Sequence, residues 1–200
     1  MQLIASPLSP FVRKVRVLLH EAGLADSVEM VNLATTPLDT DPRAASANPL
    51  GKIPALIRED GATLYDSRVI TRYLDHLAGG RFYPDARLWE VLTLEATAEG
   101  IMDAAVLMTY EARFRPEDIQ YAPWVEAQWQ KIARALDAIE GRWMSHLAGP
   151  LDMSHIALGC ALGYLDFRHA ARDWRTGHPA LADWHTGVAQ RDSMTQTAPE

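Results

Sequence analysis

The sequence predicts an α/β domain over residues 1–80 followed by an all-helical domain over residues 87–200. Three observations carry that division. Strand-like and helix-like patterns alternate as far as Gly79-Gly80, only helical periodicities follow, and the segment 81–86 between them, with Pro84 inside it, reads as a linker.

In the first domain, Gln2-Leu3-Ile4-Ala5 is a short strand. Phe11, Val15, Leu18 and Leu19 line one face of a helix over about 10–22, which Gly23 closes. Val28-Glu29-Met30-Val31-Asn32-Leu33 has the period of two of a half-buried strand. The segment 35–48, rich in Pro, Asp, Thr and Ala, is an irregular or short helical crossover. Ala55-Leu56-Ile57 and Thr63-Leu64-Tyr65 flank Asp60-Gly61, which signals a hairpin. Val69, Ile70, Tyr73, Leu74 and Leu77 mark a helix from near Ser67 to Gly79-Gly80.

The second domain starts with a long helix over about 85–113 that carries Leu88, Val91, Leu92, Ile101 and Met102. Val125, Trp129, Ile132, Leu136, Ile139 and Trp143 alternate at spacings of four and three, a helical stripe that Gly149-Pro150 ends. The stretch 156–165 is apolar on nearly every face and belongs in the centre of a bundle. A last helix begins at His178-Pro179, with Trp184 and Val188 facing inward, and the tail 195–200 is expected to be loose.

Composition narrows the function. A net charge of -7 and the lack of any long basic run argue against nucleic-acid binding. The longest apolar stretch is about half the ~20 residues a bilayer requires, and Met1 leads straight into a strand without a charged leader. One cysteine, Cys160, leaves no intramolecular disulfide, which fits a reducing, cytoplasmic setting. The seven histidines show no metal-ligand spacing, so no metal is expected.

Three short signals carry chemistry. Asn48-Pro49-Leu50-Gly51-Lys52-Ile53-Pro54 places a proline before the strand-like Ala-Leu-Ile, a natural place for a cis bond and a tight turn. Tyr65-Asp66-Ser67 precedes an amphipathic run, as a helix N-terminus does, and helix N-termini hold carboxylates. Ser9-Pro10 opens another helix and puts a hydroxyl where a thiolate would be stabilised. Each has a plain structural reading too: a turn at Pro54, a cap at Ser67 or Ser9, a solvated Lys52. Their ordered combination is what points to a thiol-binding site.

That combination, followed by a helical second half, resembles the cytosolic glutathione transferase family over the full length of the chain, with a serine at the first-cysteine position. The resemblance implies a thioredoxin-like first domain, a C-terminal helical bundle and homodimers. It also implies that the Ile53 backbone meets the cysteinyl part of glutathione as an added strand would. Ser67 would bind the γ-glutamyl carboxylate, Asp66 would orient the amine or cap the helix, and Lys52 would meet the glycyl carboxylate. Pro54 shapes the turn.

Ser9-Pro10-Phe11-Val12 is similar to the Cys-Pro-x-Cys opening of glutaredoxins, with Ser and Val in the two cysteine positions. Without those cysteines dithiol exchange is lost, but Ser9 can donate a hydrogen bond to the glutathione thiolate. Ser6 is the alternative donor, and Tyr110 or Tyr164 a remoter one. The implied activity is glutathione transfer to a small hydrophobic electrophile, bound between the domains near Leu8, Met102, Met108 and Tyr110. The alternative is a non-catalytic glutathione- or ligand-binding member of the same fold; a glutathione-dependent isomerase or dehalogenase is a third. In the second domain Cys160 is inert packing. Asp152 can cap a helix, but a return bond from His155 is not expected.

Overall fold

A computed structural model describes residues 1–199. The chain forms two compact units, Met1–Leu88 together with the residues from Asp192 onward, and Trp89–Arg191.

The first unit runs β1 (Gln2–Ala5), α1 (Pro10–Glu21), β2 (Glu29–Asn32), α2 (Pro42–Ala47), β3 (Ala55–Ile57) and α3 (Ser67–Leu77). The sheet order is β2-β1-β3. Leu3 pairs with Met30 in the parallel β1–β2 ladder and with Leu56 in the antiparallel β1–β3 ladder. The parallel pair needs a crossover, and α1 supplies it. Central β1 is buried at Leu3, Ile4 and Ala5, as its apolar sequence requires. Ala44 and Ala47 on α2 pack with Ile4, Leu33 and Ala55, and these small side chains let α2 approach the sheet closely. Each fully buried Leu or Ile here contributes about 1.5–3 kcal/mol.

Helix α1 ends in a Schellman motif. Leu24 donates to the Leu19 carbonyl at 2.8 Å and Gly23 to that of His20 at 3.1 Å, with Gly23 at φ +70°. Phe11 is only half-buried, whereas Val12 and Val17 are buried together with Val15, Leu18 and Leu19. The buried arc is wider than a single stripe because α1 packs on α3 and on the C-terminal tail as well.

One first-domain expectation needs correction. The second hairpin strand at 63–65 shrinks to one antiparallel bridge, Leu56 with Leu64. The chain turns into α3 two residues later, which leaves no length for a ladder. The segment 81–86 is held against α3. Buried Asp75 of α3 accepts the Phe82 and Tyr83 amides at 2.8 and 3.2 Å, and Thr71 shares a 2.8 Å bond with the Tyr83 hydroxyl. Phe82 and Tyr83 are buried as a result.

The second unit is helical: α4 (Leu88–Phe114), α5 (Ala122–Arg142), α6 (Met144–Leu147), α7 (Met153–His169) and α8 (Pro179–Ala189). The α5 stripe is buried at Ile132, Leu136 and Ile139 and half-open at Val125, Trp129 and Trp143. The helix breaks at Trp143, earlier than Gly149-Pro150, and α6 fills the interval. Helix α7 is central, with Ile156, Ala157, Leu158, Cys160, Ala161, Leu162 and Leu165 all buried. On α8 the inward residues are Leu181 and His185, with Trp184 and Val188 half-buried. The Trp184 indole donates to the Leu147 carbonyl at 3.1 Å, which holds its polar edge at the periphery.

A short helix α9 (Asp192–Thr195) follows and packs on α1. Of the tail expected to be loose, residues 195–199 lie against the first unit, with Thr197 buried beside Met194, and residue 200 lies outside the described residues.

Candidate functional site

Sheet register brings the three sequence signals together. Ile4 lies opposite Ala55 in the antiparallel β1–β3 pair. The chain leaving β1 toward residues 6–9 and the chain entering β3 through Ile53-Pro54 therefore meet at one end of the sheet. The antiparallel Leu56–Leu64 bridge carries Tyr65 and Asp66 back to that same end. The N-termini of α1 and α3 thus flank the Ile53-Pro54 turn.

Ser9 is the N-cap of α1. Its Oγ accepts the Val12 amide at 3.3 Å, its carbonyl accepts the Arg13 amide at 2.9 Å, and its own amide donates to the Ser6 carbonyl at 3.1 Å. A hydroxyl has two acceptor sites and one proton, so accepting from Val12 leaves the O–H able to donate outward. Pro10 at the first helical position needs no amide partner. Val12, in the position of a second cysteine, is fully buried.

The turn before β3 is built by Asn48, a role the sequence reading did not assign. Buried Asn48 donates from Nδ2 to the Lys52 carbonyl at 2.9 Å and accepts the Leu50 amide on Oδ1 at 3.0 Å. Gly51 sits at φ +64°, and a Cβ there would meet Thr40 Cγ2 at 2.6 Å, so the turn favours glycine. The Ile53-Pro54 bond is cis, as expected, and the Tyr65-Asp66 bond is cis as well. Ile53 packs on the cluster around Ile4 while Lys52 is exposed. An Asn followed by a glycine three residues later was the available signal for this turn.

At α3, Asp66 is the N-cap and Ser67 the buried first helical residue. The Asp66 carboxylate accepts the Arg68 amide at 3.0 Å and pairs with the Arg68 guanidinium at 2.9 Å. Partial burial works to raise the Asp66 carboxyl, but the Arg68 contacts prevail and hold it below the usual range. Of the two roles open to Asp66, the structure gives it capping, in company with Arg68. Two helix N-termini, a donor hydroxyl and an exposed lysine at one end of a sheet form a place for an anionic ligand.

In the second unit, burial and the neighbouring Tyr164 raise the Tyr110 hydroxyl above its ordinary value, so it stays protonated. Met102 and Met108 are buried core residues, and Cys160 is buried on α7. The return bond from His155 is present after all. The Asp152 amide approaches His155 Nδ1 at 3.3 Å, and that nitrogen lies 2.8 Å from Asp152 Oδ1. His146 Nε2 joins from α6 at 3.0 Å from Asp152 Oδ2. These three side chains are close enough to hold a metal, which linear spacing did not reveal because α6 and α7 are brought together only by folding. Asp152 Oδ1 also accepts the Ser154 amide at 3.0 Å and hydroxyl at 2.6 Å, so the carboxylate is occupied as a helix cap.

Residues 8–77 match the family model described as glutathione S-transferase, N-terminal domain, and residues 122–187 that of the C-terminal domain. The chain belongs to the glutathione S-transferase family. Among its relatives, this glutathione S-transferase family member is 35% identical to the GST-like protein YibF of Escherichia coli (strain K12), over 100% of this chain and 98% of that one. It superposes with a TM-score of 0.97 on a glutathione transferase family member from Pseudomonas fluorescens Pf-5, 44% identical over 100% of this chain and 98% of the other, crystallised with bound glutathione. A glutathione S-transferase from Methylobacillus flagellatus with glutathione bound gives 0.87 at 38% identity, covering 100% and 99% of the two chains. The thioredoxin-like first unit and helical second unit are the architecture of that family.

Proposed function

We propose that this protein is a glutathione transferase that lowers the pKa of the glutathione thiol and directs the thiolate at a small hydrophobic electrophile. The observation that carries the reading is the Ser9 hydroxyl at the N-terminus of α1, which accepts from Val12 and keeps its own proton available for donation. Bound glutathione in the Pseudomonas and Methylobacillus relatives supports the choice of thiol.

In this reading the Ile53 backbone pairs with the cysteinyl amide, Ser67 takes the γ-glutamyl carboxylate at the start of α3, and Lys52 meets the glycyl carboxylate. Asp66 holds Arg68 and caps α3. Lowering the thiol pKa by two units requires about 2.7 kcal/mol. One hydrogen bond to a charged acceptor contributes about 1.5–3 kcal/mol, and the helix terminus adds about 0.3–1 kcal/mol. Together they come to about 1.8–4 kcal/mol, a range that brackets the requirement. Proximity of the two bound reactants supplies the rest of the acceleration. The electrophile, the homodimer and a cytoplasmic location belong to this proposal, and no metal takes part.

A second reading is a glutathione-binding protein without transferase chemistry. It is favoured by the fact that capping α1 is itself a sufficient reason for a serine at position 9. Thiolate absorbance of bound glutathione against pH separates the two. A bound thiol pKa well below that of free glutathione, restored upward in Ser9→Ala, supports the transferase. Tight binding with an unshifted pKa supports the second reading.

A further inference from the structure

The C-terminal segment grips α1 at both ends. Arg13, in the first turn and nine-tenths buried, donates from Nη2 to the Met194 carbonyl at 3.1 Å. Its Nε, also buried, has no hydrogen-bond partner among the described residues, so the Met194 carbonyl sets the direction of the guanidinium. One turn on, Arg16 Nη2 donates to the Gln196 carbonyl at 3.4 Å. At the far end of α1 the Ser193 hydroxyl donates to Glu21 Oε1 at 2.5 Å. The segment also folds on itself: the Thr197 hydroxyl donates to the Ser193 carbonyl at 2.7 Å, and Met194 and Thr197 are buried at 2% and 0% exposure. A merely trailing terminus would leave such groups in water.

Arg13 is also the residue whose amide closes the first turn on the Ser9 carbonyl. The tail therefore holds, by its side chain, the residue that holds Ser9 by its backbone. We infer that residues 192–197 form a strap that fixes the first turn of α1, and that Arg13 is a positioning residue for the Ser9 hydroxyl. A charged guanidinium buried against the Met194 carbonyl has little freedom to shift, because movement away costs it that bond in a buried place. The consequence for thiol activation rests on the reading of Ser9 given above; the mechanical coupling does not.

The test uses the full chain as native protein, Arg13→Met, Arg13→Lys and Ser193→Ala. Hydrogen exchange is followed at the Val12 and Arg13 amides, which donate to Ser9, with the Ile70 amide of α3 as internal control. Exchange at Val12 and Arg13 rises about tenfold or more in Arg13→Met, less in Ser193→Ala, and falls back in Arg13→Lys, while Ile70 stays protected. The pKa of bound glutathione rises in the same order, with kcat falling more than KM changes. Unchanged exchange at Val12 and Arg13 in both Arg13→Met and Ser193→Ala overturns the strap, and so does a rise shared equally by Ile70. If native protein leaves the thiol pKa unshifted, the transferase reading fails and the exchange data still decide the strap.

Discussion

Asn48 Nδ2 donates to the Lys52 carbonyl at 2.9 Å, so one buried amide spans the whole turn that leads into the cis Ile53-Pro54 bond. The same side chain accepts the Leu50 amide, which leaves the turn no route to relax without breaking a buried bond.

Asn48→Ala removes both bonds and strands two backbone groups. It is expected to cost about 1–3 kcal/mol in urea unfolding and, on the proposed function, to raise the glutathione KM more than it lowers kcat, because the damage falls on the backbone proposed to bind it. Asn48→Asp keeps the acceptor for Leu50 but loses the donor to Lys52, and falls between. A KM unmoved in Asn48→Ala sinks the idea that this turn presents Ile53 to the ligand.

Capping and thiol activation by Ser9 can be pulled apart. Ser9→Ala loses the cap and is expected to destabilise by about 1 kcal/mol, whereas Ser9→Gly loses only a few tenths. Both remove the hydroxyl, so both raise the bound thiol pKa equally, and Ser9→Thr restores stability and pKa together. Thermal melts measured beside thiolate titrations give the comparison. A thiol pKa that follows stability rather than the hydroxyl would assign Ser9 to capping alone.

Acid should weaken the second unit through Asp152. Burial works to raise this carboxyl, but hydrogen bonds from His155 and Ser154 prevail and hold it below its ordinary value. A carboxyl lower in the folded than in the unfolded chain stabilises fully above the unfolded pKa of about 3.9, and that stabilisation is lost as pH falls through the folded value. Asp152→Asn is therefore less stable than native protein at pH 7, by about 1–3 kcal/mol. The gap narrows when the same unfolding series is run near pH 3. A gap that stays constant into acid contradicts the assignment.

The strand and helix order of the first unit was legible because apolar periodicity and turn residues agree there. Leu3 and Ile4 belong to a buried strand, Gly23 to a left-handed helix end, and Pro54 to a cis turn. The site signals were legible for the same local reason: Ser9-Pro10 and Asp66-Ser67 are helix starts wherever they occur. What stayed hidden depends on distant partners. Asp75 binding residues 82 and 83, the tail lying on Arg13, and His146 meeting Asp152 are contacts between segments whose sequences carry no mark of one another. The role of Asn48 was hidden differently, since an Asn in a turn has many uses and only the bonds to Lys52 and Leu50 select one.

Helix α8 is capped by a side chain from another helix. His178 makes no capping side-chain bond at its N-terminus. Instead Glu140 on α5 accepts the Ala180 amide on Oε1 at 3.0 Å and the Leu181 amide on Oε2 at 2.8 Å. A carboxylate facing the positive end of a helix gains from the dipole as well as from the two bonds. Glu140→Ala loses all of this, about 1–2 kcal/mol, and lowers Tm by about 2–8 °C for a chain of this length. Glu140→Gln can satisfy one amide but presents its NH2 group to the other, so it recovers less than half of the loss. Because Ala180 is exposed and Leu181 is fully buried, the burden falls on the Leu181 contact, and exchange at the Leu181 amide should rise most. Equal melting of Glu140→Ala and native protein would show that water replaces the carboxylate there without loss.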